Sequence, residues 1–541
     1  MLVDTSQGTR VAAAVFTAVS AGLTYFTYRL ITHRRLYRDL PGPPHSLFWG
    51  HLKVFGIFAS KLPKYTCISP IVAEIKHQYG LGDIFYIDLW PLGPCFTVLS
   101  SPDAAALATT VQTFPISTVV VDLYRWTTGT NFIDSTNGPL WKKLHRLIAP
   151  ALTPAATKAS LPSIIREAAA LHAKFGALAD GTAVVQDLAH EIGTFTFSNA
   201  LRVLFGEPLD TRTTAELYQD SEGFVDAVGV IAYRSRTPLH AWWHRITVLK
   251  PVQRRMRRTI QDIMDRNHAN LVQQNEKGFL PRETSPPIMD RMLLEAVTNK
   301  TGLDPGLTAL ISDNAMGIIV AGYGTTTDAL CYILMLLSTH PDSLRELRQE
   351  HDEVFGSTFE GTLARLEEDP NHINQLKYTT AVINESLRLY SVGFAIRDPM
   401  PDMAAIEYKG RSYPVKNHVM GLNIYSIHYD DSLFPEARKF QPERFLDYAP
   451  YGINRNAYRP FERGLRACPG QSLATDQMRV AVLFLARWFD FELVDHEPSD
   501  SPRVSHTDMD MLLGKHAFQY TNVTAGPAGK VAMKISRTKR G

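Results

Sequence analysis

The sequence predicts a predominantly helical body held behind a single N-terminal membrane helix, and three observations carry that expectation. No charged residue lies between Val11 and Tyr28, and roughly 18 apolar residues suffice to cross a bilayer. A longer apolar run, from about Thr308 to Ser338, has Asp313 and Asp328 as its only charged residues. A third run, from about Gln375 to Tyr390, carries Glu385 and Arg388 three residues apart, on one helical face.

With 541 residues, 45% hydrophobic and 20% charged, the chain has the balance of a globular protein able to bury a sizeable core. A formal net charge of +2 supplies no global field for polyanions, so no nucleic-acid partner is expected. Cys67, Cys95, Cys331 and Cys468 lie far apart with no C-x-x-C pair. That spacing argues against a zinc site or a disulfide scaffold and fits a reducing cytosol.

The first element is diluted by Thr17, Ser20, Thr24 and Thr27, so its flanks decide its reading. Arg29, Arg34, Arg35 and Arg38 follow it, against Arg10 and Asp4 before it, which puts the following body in the cytosol. A cleaved signal would be shorter and would end in small residues, whereas this run enters arginines. Leu40-Pro41-Gly42-Pro43-Pro44 then forms a stiff hinge. The expected organisation is a luminal N-terminus over 1–10, a transmembrane anchor over 11–31, a basic and Pro-rich hinge over 32–50, and a cytosolic body over 51–541.

Within the body, Trp141 is followed by His145 four residues on and by Arg146 one further, about 100° around a helix. Lys142 and Lys143 between them are free to face solvent and to form part of a cationic docking patch for an acidic partner. The apolar run to Ser338 stops at His340-Pro341, since proline cannot continue a helix. Asp313 and Asp328 make lipid exposure costly, which favours burial in protein over a second span. Gly322 and Gly324 within it weaken a helix unless something must approach or bend it. Arg444, in Pro442-Glu443-Arg444-Phe445, is a second cation available to Glu385, and buried charges need mutual pairing.

Near the C-terminus stands Phe461-Glu-Arg-Gly464-Leu-Arg466-Ala-Cys468-Pro469-Gly470. A cysteine that binds a metal as thiolate needs its pKa pulled below about 8.5. Pro469 reads as the first residue of a helix, which would put the sulfur at a helix N-terminus, where backbone N–H groups favour negative charge. Gly464 allows a tight turn, Gly470 lets backbone pass close to a flat cofactor, and Arg466 supplies a cation for a carboxylate. The plainer alternative is a buried cysteine in an ordinary turn.

The pattern Phe461-x-x-Gly464-x-Arg466-x-Cys468-x-Gly470 resembles the haem-binding loop of the cytochromes P-450, with all five fixed positions present. Ala321 to Thr326 resembles the family's oxygen-binding segment, usually Ala/Gly-Gly-x-acid-Thr-Thr, and the match assigns Thr325 to the threonine that helps deliver protons. Gly324 replaces the acid. Asp328, three residues beyond Thr325, either substitutes as proton donor or pairs with a nearby cation. Glu385, Arg388 and Arg444 resemble the charged trio that locks the family's haem-binding core, a structural role. Trp141 stands where a family tryptophan contacts a haem propionate. The partner arginine's position holds His145, so either His145 replaces it or the register shifts to Arg146.

The resemblance implies a mainly α fold with small β-sheets, the cytochrome P-450 fold, preceded by a single transmembrane helix in the endoplasmic reticulum, with the catalytic domain cytosolic. It implies haem b ligated axially by Cys468, O2 as co-substrate, and electrons from a separate NADPH-dependent reductase of the same membrane. One oxygen atom would enter a lipophilic small molecule, against a largely apolar wall including Val119, Val120, Val121, Leu123, Ile319, Val392 and Phe394. The chain is most similar to fungal secondary-metabolism members, which implies a polyketide or terpenoid intermediate as substrate. Fatty-acid or xenobiotic hydroxylation stays open. So does a haem-thiolate isomerase or dehydratase needing no O2, favoured by Gly324 and disfavoured by Thr325. A membrane-tethered haem sensor is the non-enzymatic alternative.

Overall fold

A computed structural model describes residues 5–538 apart from 182, 207, 236, 279–285, 394, 448–451 and 495. Helices dominate, as expected, and small sheets flank them. Phe394, expected in the substrate wall, lies outside the described residues.

The N-terminal helix runs unbroken over Thr5–Arg35. The first residues of the expected hinge are therefore helical, because no proline precedes Pro41 to stop the helix. Phe16, Leu23 and Tyr28 are 74%, 61% and 66% exposed along it, whereas Leu30 and Arg34 near its end are buried against the body. The one described helix long and apolar enough to cross a bilayer by composition is Pro305–Thr339, and its apolar stretch is two-thirds buried. That is the mark of a core helix.

This central helix is capped by Asp304, whose Oδ1 accepts from the N–H groups of Gly306 and Leu307 at 2.7 and 2.9 Å, with Pro305 at the first position. It ends where His340-Pro341 was expected to end it. Gly322 answers a close approach: a Cβ there would sit 3.0 Å from the Cβ of Ala200 on helix Leu188–Phe205. The helix stays continuous through both glycines. Tyr332 stacks on Tyr390 at 3.9 Å, tying its second half to the end of helix Lys377–Leu389.

A four-stranded sheet orders Ile84–Asp88, Cys95–Leu99, Val419–Leu422 and Ala395–Arg397, with only the middle pair parallel. Val184–Val185, Ala532–Arg537 and Phe489–Val494, in that order, form a second, antiparallel sheet. Gln519–Thr521 and Ala525–Pro527 form a hairpin that lies along the central helix. Helix Gln471–Leu485, downstream of the cysteine loop, packs on Pro154–Asp180 and on the central helix.

Candidate active site

The cysteine loop closes on itself: Cys468 N–H donates to the Phe461 carbonyl at 2.9 Å and Ala467 N–H to that of Gly464 at 3.1 Å. Gly464 has a φ of +84°, the left-handed region that favours glycine. A Cβ there would also collide with the Thr109 carbonyl, so glycine is required for two separate reasons. Helix Gln471–Leu485 begins three residues after Cys468 with Gly470 as its cap. Pro469 is therefore outside the helix, not its first residue, because Pro469 and Gly470 turn before the helical bonds start with Ala474 N–H on the Gly470 carbonyl at 2.9 Å.

Cys468 lies in a slot that water reaches, yet protein crowds its sulfur closely. Burial pushes its thiol up to about 11, against a Gly470 N–H that pulls it down. Desolvation and the Gly470 N–H thus act in opposite directions on this sulfur, and a bound metal cation would favour its thiolate form.

Beside the loop, the Arg466 guanidinium lies 4.5 Å from the Trp141 ring centre and donates to the Thr136 carbonyl at 3.0 Å and to Asn137 Oδ1 at 2.8 Å. Helix Gly138–Ile148 turns His145 to the same face, 5.0 Å from Trp141. His145 also borders a cavity of about 500 Å³ that includes Cys468 and Pro469. Arg146 points outward and bonds the Lys142 carbonyl at 3.3 Å, because the extra 100° of helix rotation carries it off the Trp141 face. Lys142 and Lys143 are exposed, as expected.

A second arginine, unnoticed in the sequence, joins this group. Arg397 ends strand Ala395–Arg397, is buried, and has no salt-bridged carboxylate among the described residues. Burial lowers the pKa of Arg397, and burial together with Arg397 lowers that of Arg466 to about 10. The nearby carboxyl of Asp134 is pushed upward by burial, with Arg397 and Arg466 pulling against it. Arg397, which also feels the Glu462 carboxylate, and Arg466 make a cationic pair that fits an anionic cofactor edge such as haem propionates.

Beneath this, the charged trio assembles completely. Arg388 donates to both oxygens of Glu385, Nε to Oε2 at 2.7 Å and Nη2 to Oε1 at 2.8 Å, and Arg444 Nε reaches Oε1 at 3.0 Å. All three side chains are fully buried. Arg388 Nη1 further donates to the carbonyls of His428 and Ala437 at 2.7 and 2.8 Å. The His428 ring spans from the Arg388 carbonyl, 2.8 Å from Nδ1, to the Arg459 N–H, 3.0 Å from Nε2. Those partners require Nδ1–H and an unprotonated Nε2, and burial beside Arg388 lowers the pKa of His428 to about 3. Arg459 Nη2 then donates to Thr109 Oγ1 at 2.7 Å. The lock is thereby wired to the cysteine loop through His428 and Arg459, which no local spacing had marked.

The central helix opens at one stretch: Ala321 is exposed and Gly322, Gly324 and Thr325 are half-buried between turns that are mostly buried. Thr325 Oγ1 donates to the Ala321 carbonyl at 2.8 Å. Asp328 faces the C-terminal hairpin, where it accepts from Thr524 Oγ1 at 2.5 Å and where a Cβ on Gly526 would strike its carboxylate. No cation pairs with it among the described residues. Burial pushes its carboxyl up to about 7, with the Thr524 bond opposing. The Thr524 methyl would be 3.5 Å from a Cβ on Gly324, so this hairpin residue covers the glycine that stands in for an acid. Of the expected apolar wall, Val119 is exposed and Val120, Val121, Leu123 and Val392 are half-buried. Ile319 is fully buried in the core and is not available to a substrate.

The cytochrome P450 family model matches residues 50–520. The chain is 26% identical over 494 residues to cytochrome P450 monooxygenase ptmJ of Penicillium ochrochloron, covering 91% of this chain and 92% of that protein. It is 29% identical over 479 residues to cytochrome P450 monooxygenase ptmG of the same organism, covering 87% and 86%. It is 27% identical over 521 residues to cytochrome P450 monooxygenase acrF of Aspergillus aculeatus, covering 88% and 98%. With a matching family model over most of its length and relatives that align along nearly the whole chain, the chain belongs to the cytochrome P450 family and is an oxidoreductase of the monooxygenase type.

Proposed function

We propose that this protein is a membrane-anchored haem monooxygenase that inserts one atom of O2 into a lipophilic small molecule, a polyketide or terpenoid intermediate of fungal secondary metabolism. Electrons would come from an NADPH-dependent reductase of the same endoplasmic reticulum membrane, with the body in the cytosol. The carrying observation is the loop that carries Cys468 two residues after Arg466, which stacks on Trp141 and lies near Arg397, a cysteine thiol in one loop with a cation suited to propionates. Half-buried Val120, Val121, Leu123 and Val392 support a lipophilic substrate, and the exposed apolar stretch of the N-terminal helix supports the anchor.

The bound haem supplies oxygen activation, with thiolate ligation favouring O–O cleavage. The chain's own residues hold it and manage protons. Cys468 would hold the haem iron through its sulfur, and Arg466, Arg397, Trp141 and His145 would bind the propionate edge. Thr325 holds a hydroxyl proton at Oγ1 on the open face of the central helix. Asp328, whose carboxyl sits near neutrality, would recharge that region with protons alongside Thr524, in place of the acid missing at Gly324.

Reduced protein under carbon monoxide should give the red-shifted band of thiolate-ligated haem, and Cys468→Ser should abolish it. NADPH consumption with reductase and a lipophilic substrate should yield a product carrying label from 18O2. A product formed without NADPH or O2 would instead establish an isomerase or dehydratase, the reading that Gly324 favours.

A further inference from the structure

Three potential metal ligands meet where the N-terminal helix joins the body. His33 comes from the last turn of helix Thr5–Arg35. Asp88 closes strand Ile84–Asp88 and pairs directly across the antiparallel ladder with Cys95, which opens the next strand. His33 Nε2 lies 3.0 Å from Asp88 Oδ1, Cys95 Sγ lies 3.4 Å from the same oxygen, and Cys95 Sγ lies 3.6 Å from His33 Nε2.

Those separations suit a tetrahedral ion. Zinc bonds of about 2.0–2.3 Å put neighbouring ligand atoms roughly 3.3–3.7 Å apart. A triangle with the observed sides has its corners about 1.9 Å from its centre, so an ion at zinc-ligand distance from all three sits just off their plane. The other carboxylate oxygen, Oδ2, is held by Arg34 and by His45 Nε2 at 3.0 Å. Such outer bonds orient a ligating carboxylate toward its metal. Asp88 is fully buried and Cys95 nearly so, while His33 retains 23% side-chain exposure, which leaves a path for the ion and for water as fourth ligand.

We propose that His33 Nε2, Asp88 Oδ1 and Cys95 Sγ bind a divalent ion of zinc type that staples the N-terminal helix to the first hairpin of the body. The imidazole, carboxylate and thiolate set suits zinc and excludes the hard cations magnesium and calcium. Binding exchanges the Cys95 thiol proton, released to solvent, for the Zn–S bond, with no change of oxidation state. The Asp88 carboxylate and the Cys95 thiolate offset the charge of the ion, and Arg34, still bonded to Asp88 Oδ2 from outside, leaves the cluster with one net positive charge. The cysteine spacing argued against zinc because the ligands come from three elements that only the fold brings together.

The test uses full-length, haem-loaded protein in detergent, equilibrated with micromolar zinc, dialysed against metal-free buffer, and analysed for zinc and iron. One zinc per haem iron is expected, falling at least about tenfold in Cys95→Ser and His33→Ala while the carbon monoxide band is retained. Wild-type protein that keeps no zinc overturns the proposal, and this outcome decides even where a variant fails to fold. An unchanged zinc-to-iron ratio in folded Cys95→Ser overturns it equally.

Discussion

Replacing Glu385 by glutamine probes the charged lock with almost no change of volume. The carboxylate accepts four bonds, from Arg388 Nε and Nη2, Arg444 Nε and the Gln441 N–H, the last at 2.9 Å. Three of the four converge on Oε1. A glutamine carbonyl in that place retains them in weakened form, but its NH2 then faces Arg388 Nε, donor against donor, and both buried guanidinium groups lose their counter-charge. Breaking a buried pair costs about 3–5 kcal/mol, out of a total stability of order 5–15 kcal/mol. Arg388 keeps the carbonyls of His428 and Ala437, and Arg444 keeps that of Pro435 at 2.9 Å. Glu385→Gln should therefore fall at the lower end, about 3 kcal/mol, and Glu385→Ala at the upper. Because Arg388 bonds the His428 carbonyl and the His428 ring holds Arg459, the loss should also reach the cysteine loop as weakened haem retention. Urea unfolding of the holoprotein, with haem content per chain, measures both. Folded Glu385→Gln within about 0.5 kcal/mol of wild type, the range of an ordinary surface change, and carrying full haem would refute the argument.

Gly464→Ala should fail to retain haem, because it forces a Cβ into both a left-handed backbone and the Thr109 carbonyl. Normal haem content in that variant would contradict it. Arg397→Met should speed haem transfer to an apoprotein acceptor about tenfold, one charge-assisted bond being worth roughly 1.5–3 kcal/mol; an unchanged transfer rate would remove Arg397 from the propionate pocket. The Asp328 carboxyl, raised to about 7, is protonated below that pH and ionised above it, so product formed per NADPH should fall as pH rises through about 7. Asp328→Asn does not titrate and should give a flat profile, and a flat wild-type profile would end the relay role. The raised pKa also means that the unfolded chain gives up this proton at lower pH than the folded one, so stability declines as pH climbs from about 4 to 7. Asp328→Asn should lack that decline in urea unfolding.

Glu385 and Arg388 share a helical face by their i, i+3 spacing, and the central helix stops at His340-Pro341 as the proline dictates; its start at Pro305, capped by Asp304, precedes the Thr308 at which the apolar run begins, because a cap is polar and lies outside that run. Local rules failed at Pro469, where backbone turn geometry postponed the helix start to Gln471. They failed also at Ile319, whose apolar character is the same whether it faces a substrate or the core. The choice between His145 and Arg146 required the phase of helix Gly138–Ile148 against Arg466.

By itself, then, the sequence determined the family, the cysteine loop proposed to hold the haem, and the charged trio, because those reside in short motifs whose spacing is their geometry. Tertiary structure alone decided which side Asp328 faces, and it alone joined Arg397 to Arg466, His428 to Arg459, and His33 to Asp88 and Cys95. Those groups come from separate strands and helices. Coulomb and coordination forces act over a few ångströms of space, whatever the distance along the chain, and only folding makes these residues neighbours.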